Sequence, residues 1–260
     1  MSTVEIRHSF GSFISNATSA EGSVFNVWYF QIAYFGHETI QIYNCYKHMQ
    51  KFIPIFPLAM VAFPGEVLHL HIFEERYKQL INECVEEDKT FGIPPVAEKR
   101  MLDYGTEMRV LRIDKRYATG ELDITVEGLH AFRMLERLDE VPDKLYMGAV
   151  VDILDNRNIL HGPTQRRLSE AVKKLFELLE IEKEILPSAS KYYSFELGHL
   201  VGLEMLQEYE LLKHESEAIR QRILLEHIRT MLPSVQQMAD IRERARLNGH
   251  FRITYPPDLK

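Results

Sequence analysis

The feature that most constrains this chain is a change of hydrophobic period part-way along it. From Lys51 to about Asp155, apolar residues come in short runs and alternations broken by Pro and Gly. After His161-Gly162-Pro163 they recur at three- and four-residue spacing to about Leu247. A period of two suits strands and a period of 3.6 suits helices. A β-rich half followed by a helical half predicts an α+β chain, not an alternating α/β one.

Within the first half, Phe52 to Leu58 carries Pro54 and Pro57, which suits an extended edge segment and forbids a helix interior. Phe63-Pro64-Gly65 marks a turn. Val67 to Phe73 reads as a strand. Tyr77, Leu80, Ile81, Cys84 and Val85 then stripe one helix from about Glu74 to Glu87, with Glu74 and Glu75 where the macrodipole favours acids. Met108 to Ile113 and Leu122 to Val126 flank Ala118-Thr119-Gly120 and predict a hairpin. Phe132 to Met134 and Leu145 to Ile153 predict two more strands. So many strands around one helix predict a small, closed or nearly closed antiparallel β-barrel.

In the second half, Leu168, Ala171, Val172, Leu175, Phe176 and Leu179 stripe a helix with Pro163 near its start and Pro187 beyond its end. Ser194 is placed to cap a second helix carrying Leu197, Leu200, Val201 and Met205. Ile219, Ile223, Leu224 and Ile228 stripe a third that stops before Pro233. Ser234 to Leu247 makes a fourth, closed by Asn248-Gly249. The expected organisation is an extension over 1–48, a barrel over 49–155, a helical subdomain over 156–249 and a tail over 250–260. The extension is rich in aromatics: Val24 to Tyr46 can supply one or two strands, the plainer alternative is an appended, poorly ordered tail, and a start at Met49 would leave it outside the protein.

Composition excludes several functions. Lys+Arg 31 against Asp+Glu 38 gives a net charge of −7, which offers no overall field for a polyanion, so nucleic acid is not an expected partner. Cys45 and Cys84 are too few for a disulfide framework or a thiolate zinc site and favour a reducing compartment. Val24 to Phe35, interrupted by Asn26 and Gln31, is far short of the roughly 20 apolar residues that span a bilayer. No membrane partner is expected, and the cytoplasm is the expected location.

The chemistry-bearing residues are sparse. No G-x-x-x-x-G-K-[ST] cradle is present, so ATP hydrolysis is not expected. Ser169, Ser188, Ser190, Ser194, Ser216 and Ser234 lie in or beside helical patterns without a glycine-rich turn or a positioned base. His69 and His71 share one side of a strand, the start of a metal site if His130 or Glu74 supplied a third ligand; the plainer reading is a hydrogen-bonded strand histidine, and no metal or cofactor is expected. Glu74, Arg76 and Tyr77 form either a peptide-contacting cluster or an ordinary helix start. Phe63 and Phe73 line either an apolar groove or the core.

The run Phe52-Ile53-Pro54-Ile55-Phe56-Pro57-Leu58, then Val61-Ala62-Phe63-Pro64-Gly65-Glu66-Val67-Leu68, then Leu70-His71-Ile72-Phe73-Glu74 with Arg76-Tyr77, closely resembles the N-terminal, substrate-binding domain of Lon proteases, and most of all stand-alone Lon-domain proteins. Phe91-Gly92-Ile93, Tyr104-Gly105-Thr106, Val126-Glu127-Gly128-Leu129, Phe132-Arg133, Ser194-Phe195-Glu196-Leu197 and Leu224-Leu225-Glu226 follow in the family's order, so the resemblance spans roughly 51–232. His69 and Glu75 depart from it, standing where the family usually has proline. The resemblance implies a PUA-like barrel packed against a small helical bundle. It also implies recognition of unfolded or extended polypeptide, with unfolding and cleavage left to separate modules and a protease or chaperone as a further partner. The expectation is a non-catalytic recognition module with candidate binding residues Phe63, Pro64, His71, Phe73, Arg76 and Tyr77. The rivals are a hydrolase with an unrecognised site and an RNA-binding PUA-like protein. The 260 residues leave flanks too small for an ATPase or peptidase domain beside the recognition unit.

Overall fold

The computed structural model describes residues 13–17, 25–35, 39–157, 162–182 and 192–248. The tail over 250–260, residues 158–161 and Pro187 lie outside the described residues. The chain divides into two units, Met1–Asp155 and Asn156–Lys260.

The first unit is built from β1 (Phe13–Ala17), β2 (Phe25–Phe35), β3 (Thr39–Pro54), β4 (Val67–Ile72), α1 (Glu75–Glu86), β5 (Phe91–Ile93), the short pair β6 (Val96–Ala97) and β7 (Arg100–Met101), β8 (Tyr104–Arg116), β9 (Leu122–Leu138) and β10 (Gly148–Ile153). Its main sheet runs β1-β2-β3-β10-β9-β8-β5. All its ladders are antiparallel. The organising strand is β9. One of its edges carries β8, while the other pairs first with β4 along Leu122–Glu127 and then with β10 along Phe132–Leu138. The stretches around Ile124 and Met134, which the pattern reads as separate strands, are thus one strand continued through bulges that re-aim its side chains.

A closed barrel is expected from the sequence, and the described residues form none. Between the end of β3 and β5 the backbones meet only at isolated parallel bridges, Ile55 with Gly92 and Leu58 with Pro95, supported by the Phe56 N–H donating to the Gly92 carbonyl at 2.8 Å. The reason lies in the prolines. Pro54, Pro57, Pro94 and Pro95 have no N–H to donate, so a continuous ladder cannot form where the two segments run side by side.

Inside the sheet, Leu122, Ile124 and Val126 of β9, Ile72 of β4 and Met108 of β8 meet Tyr77, Leu80, Ile81 and Cys84 of α1. Each large apolar side chain so buried contributes roughly 1.5–3 kcal/mol. A smaller cluster joins Ile53, Ile55, Phe132, Ala149, Val151 and Ile153. Two family-like motifs prove to be one contact. The Gly65 N–H donates to the Gly128 carbonyl and the Gly128 N–H to the Glu66 carbonyl, both at 2.8 Å. Gly65 turns the chain at φ +83°, a left-handed conformation suited to glycine. A Cβ on Gly128 would lie 2.2 Å from the Phe63 carbonyl oxygen, so only hydrogen fits beneath the turn.

The second unit contains α2 (Gly162–Leu179), α3 (Tyr193–Gly198), α4 (Met205–Leu212) and α5 (Glu217–Asn248). Pro163 sits in the first turn of α2, where its missing N–H costs nothing. The helix expected from Ser194 to Met205 is two short helices, with Gly202 at φ +75° between them. Ser194 does not cap: the N-cap position is Tyr192. Nor does a helix end before Pro233, because α5 runs through it. Pro233 withdraws only the hydrogen bond to the Arg229 carbonyl. Both residues are exposed, so water can donate to that carbonyl in place of the missing N–H. Further along, Arg246 pairs with Glu180 at the end of α2 at 3.0 Å, helping to keep the continued helix in place.

A buried polar network closes this unit. Glu217 accepts from the Ser194 hydroxyl at 2.6 Å and from Arg220 at 2.7 Å. Arg220, fully buried, also donates to Ser194 Oγ, to Asn156 Oδ1 and to the His214 carbonyl, and lies 4.1 Å from the Phe195 ring centroid. Buried charge of this kind is tolerated only when it is paired and fully hydrogen-bonded.

Candidate functional site

The strand-to-helix corner from β4 into α1 holds most of the residues singled out in the sequence, and it sorts them into two groups. Phe63, Pro64 and Tyr77 are buried. The Phe63 N–H donates to Glu66 Oε2 at 2.9 Å, and Phe63 and Pro64 form the turn that docks on Gly128. Tyr77 packs its ring 4.2 Å from that of Phe56, and burial raises its hydroxyl pKa. These three side chains hold the corner and do not face a ligand.

His71, Phe73 and Arg76 are exposed. Alternation along β4 sends Leu68, Leu70 and Ile72 inward and Val67, His69 and His71 outward, so the outward row ends on Phe73, which is 61% exposed. The His71 and Phe73 rings stack at 6.1 Å. His71 Nδ1 lies 2.7 Å from Asp123 Oδ1, and the Tyr117 hydroxyl donates to Asp123 Oδ2 at 2.8 Å. These two hydrogen bonds, His71 first, hold the Asp123 carboxyl below its usual range. Tyr117 meets the His71 ring edge-on at 5.7 Å, and Lys115 Nζ sits 4.2 Å from the Tyr117 centroid. Arg76 pairs with Glu74 at 2.7 Å and lies over the Tyr77 ring at 4.5 Å. The result is an exposed aromatic and charged surface whose polar members are held in place before any ligand arrives.

Sequence reasoning missed Tyr117, Lys115 and Asp123. Their signal was available: alternating positions on both sides of the Gly120 turn share a face, and that face continues the outward row of β4. It also missed Glu107, a carboxylate buried on β8 beside Lys51 of β3, His130 of β9 and Thr90. Burial is the largest single effect on Glu107 and pushes its pKa up. Hydrogen bonds from His130, Lys51 and Thr90, with the Lys51 charge, outweigh burial and bring the pKa to about 2.

The arrangement offers binding contacts and little for covalent chemistry. Cys84 is buried and its thiol is pushed up to about 12, chiefly by burial, so no thiolate is available near neutrality. The Ser194 hydroxyl is buried and committed to Glu217. His69 and His71 do share the outer side of β4, yet among the described residues no group of three or more metal-ligating side chains comes together. Two of the three basic residues on the outer face of β8 are matched by acids, Arg109 with Glu127 and Arg112 with Asp114, which breaks up the positive charge there. No helix among the described residues is long and apolar enough to cross a membrane.

An antiparallel sheet with one embedded helix, followed by a helical unit with a long C-terminal helix, defines a mixed α/β protein of the kind seen in the N-terminal domains of Lon proteases. The structure is similar to a Lon N-terminal domain protein from Xanthomonas campestris, at 25% identity and a TM-score of 0.55, covering 68% of this chain and 98% of that one. It shares its fold with the N-terminal domain of a Lon protease from the Mycobacterium avium complex, at 17% identity and a TM-score of 0.53, with the same coverage. The family model for the substrate-binding domain of ATP-dependent protease La (Lon) matches residues 53–243, and the chain belongs to that family.

Proposed function

We propose that this chain is a non-catalytic polypeptide-recognition module that binds unfolded or extended segments and serves as an adaptor in protein quality control or proteolysis, with a protease or chaperone as its further partner in the cytoplasm. The observation that carries the reading is the family match over residues 53–243, confined to a substrate-binding domain. The exposed corner supports it. Phe73 supplies apolar area and Arg76 and His71 supply hydrogen bonds; His71 stands on β4, Arg76 on α1 and Phe73 in the short connection between them, which keeps the cost of ordering low. Buried Phe63, Pro64 and Tyr77 support that surface from beneath.

The test is equilibrium binding of a reduced, carboxymethylated protein, which stays unfolded, against its native form. The module is expected to retain the unfolded form. Phe73→Ala and Arg76→Ala, both at exposed positions, are expected to weaken binding about tenfold or more while leaving thermal stability unchanged. Equal affinity for native and unfolded forms would remove the reading.

A further inference from the structure

We propose that the free edge of β4 is a self-pairing surface, on which a second copy of this chain adds its own β4 antiparallel about a two-fold axis at Leu70. Among the described residues β4 pairs with β9 alone, and residues 67–72 make no backbone hydrogen bond on their other side. The strand carries no Pro, Gly, Lys, Arg, Asp or Glu, so it lacks the devices by which natural edges avoid pairing. Its inward row is also incompletely covered: Leu68 and Leu70 are partly exposed, while Ile72, the next in the row, is buried.

What selects a second copy as the occupant is the order of residues. Read outward from Leu70 in both directions, the strand gives His69 and His71, then Leu68 and Ile72, then Val67 and Phe73. An antiparallel pair centred there sets each residue against its chemical counterpart on the same face. Val67, 49% exposed, meets Phe73 of the second copy, 61% exposed, and His69 meets His71. On the core side Leu68 meets Ile72 and Leu70 meets itself. Such an interface is isologous and closes at two copies.

Charge agrees with this occupant. The outer face is banded, with Arg109, Arg112 and Lys115 on β8 and then Glu127 and Asp123 on β9, while β4 bears no fixed charge. An acidic segment laid on β4 would feel the acidic band behind it. A basic one would find those acids engaged, Glu127 by Arg109 and Asp123 by His71 and Tyr117. An uncharged strand fits. At each end Glu66 of one copy falls opposite Glu74 of the other, whose charge Arg76 already neutralises, so the ends add no attraction of their own. A seam of one short strand falls below the roughly 1,200 Å² of a standard interface, so the association is reversible and concentration-dependent.

The experiment is sedimentation velocity of the full chain over a concentration series, with two charge variants. In His69→Lys/His71→Lys the seam opposes lysine to lysine, and in His69→Glu/His71→Glu it opposes glutamate to glutamate. The wild-type chain is expected to move from monomer toward dimer. Each variant alone stays monomeric, and an equimolar mixture of the two restores a 1:1 dimer. Val67→Lys, at an exposed position, is a second disrupting variant should a double variant fail to fold by circular dichroism. A wild-type chain monomeric throughout, a dimer that persists in both variants, or a mixture that stays monomeric would each overturn the proposal. No polypeptide ligand is present, so this outcome is read separately from polypeptide recognition.

Discussion

Replacing Glu107 by Gln keeps the shape of the side chain and removes the charge that Lys51 and His130 surround. The carboxyl titrates near 2 in the folded chain against 4.5 for the free side chain. Because the folded value is depressed, its stabilisation is present above the unfolded value and is lost as pH falls toward the folded one. At about 1.4 kcal/mol per pKa unit, the difference amounts to roughly 3 kcal/mol at pH 7, shrinks to roughly 1 kcal/mol at pH 3 and vanishes below about pH 1. The charge also sits where β3 and β5 fail to make a ladder, since Lys51 lies on β3 and Thr90 directly precedes β5. Urea denaturation of wild type and E107Q at pH 7, 5 and 3 measures the gap. The expected result is E107Q less stable by about 2–3 kcal/mol at pH 7, with the gap narrowing at pH 3. A gap independent of pH would show that packing, not the carboxylate charge, is what the substitution removed.

Two further predictions concern the framework. Gly128→Ala places a methyl group against the Phe63 carbonyl and is expected to cost about 3 kcal/mol or more, read as a lowered urea midpoint with unchanged m-value. Arg220→Ala leaves Glu217 buried without its cation and is expected to cost about 3–5 kcal/mol, whereas Arg220→Ala combined with Glu217→Ala costs less than the two singles added, as a double-mutant cycle would show.

The fold was legible where backbone chemistry left one choice. Two-residue alternation placed β4, the β8–β9 hairpin and β10, and helical spacing placed α1 within a residue at each end. Prolines were read less fully. Pro54 and Pro57 mark an edge segment in the sequence, but their further effect, blocking the ladder that would close a barrel, depends on Pro94 and Pro95 arriving beside them from a distant part of the chain. Pro233 misled in the other direction, because a proline on an exposed helix face loses one hydrogen bond that water replaces.

The site was legible only along β4. Exposure of His71 and Phe73 follows from strand alternation, whereas burial of Phe63 and Tyr77 depends on how the turn docks on Gly128 and how α1 meets Phe56. The buried face of α5 shows the limit of apolar periodicity. It opens with Glu217, Arg220 and Gln221 before reaching Leu224, Leu225 and Ile228, while Ile219 and Ile223 stay half-exposed. Apolar spacing picks out Ile219, Ile223, Leu224 and Ile228, of which only Leu224 and Ile228 are buried, and the charged residue types at 217 and 220 argue for solvent. Only the partners, Ser194 and Asn156 from elsewhere in the unit, make their burial possible.

The exposed β4–α1 corner is proposed to bind unfolded polypeptide. Fluorescence anisotropy of a labelled, reduced and carboxymethylated protein, titrated with wild type, Phe73→Ala and Arg76→Ala, tests it most directly. Saturable binding of the unfolded form only is expected, weakened about tenfold or more by each substitution. Binding that is absent, equal for the native form, or indifferent to both substitutions would contradict it.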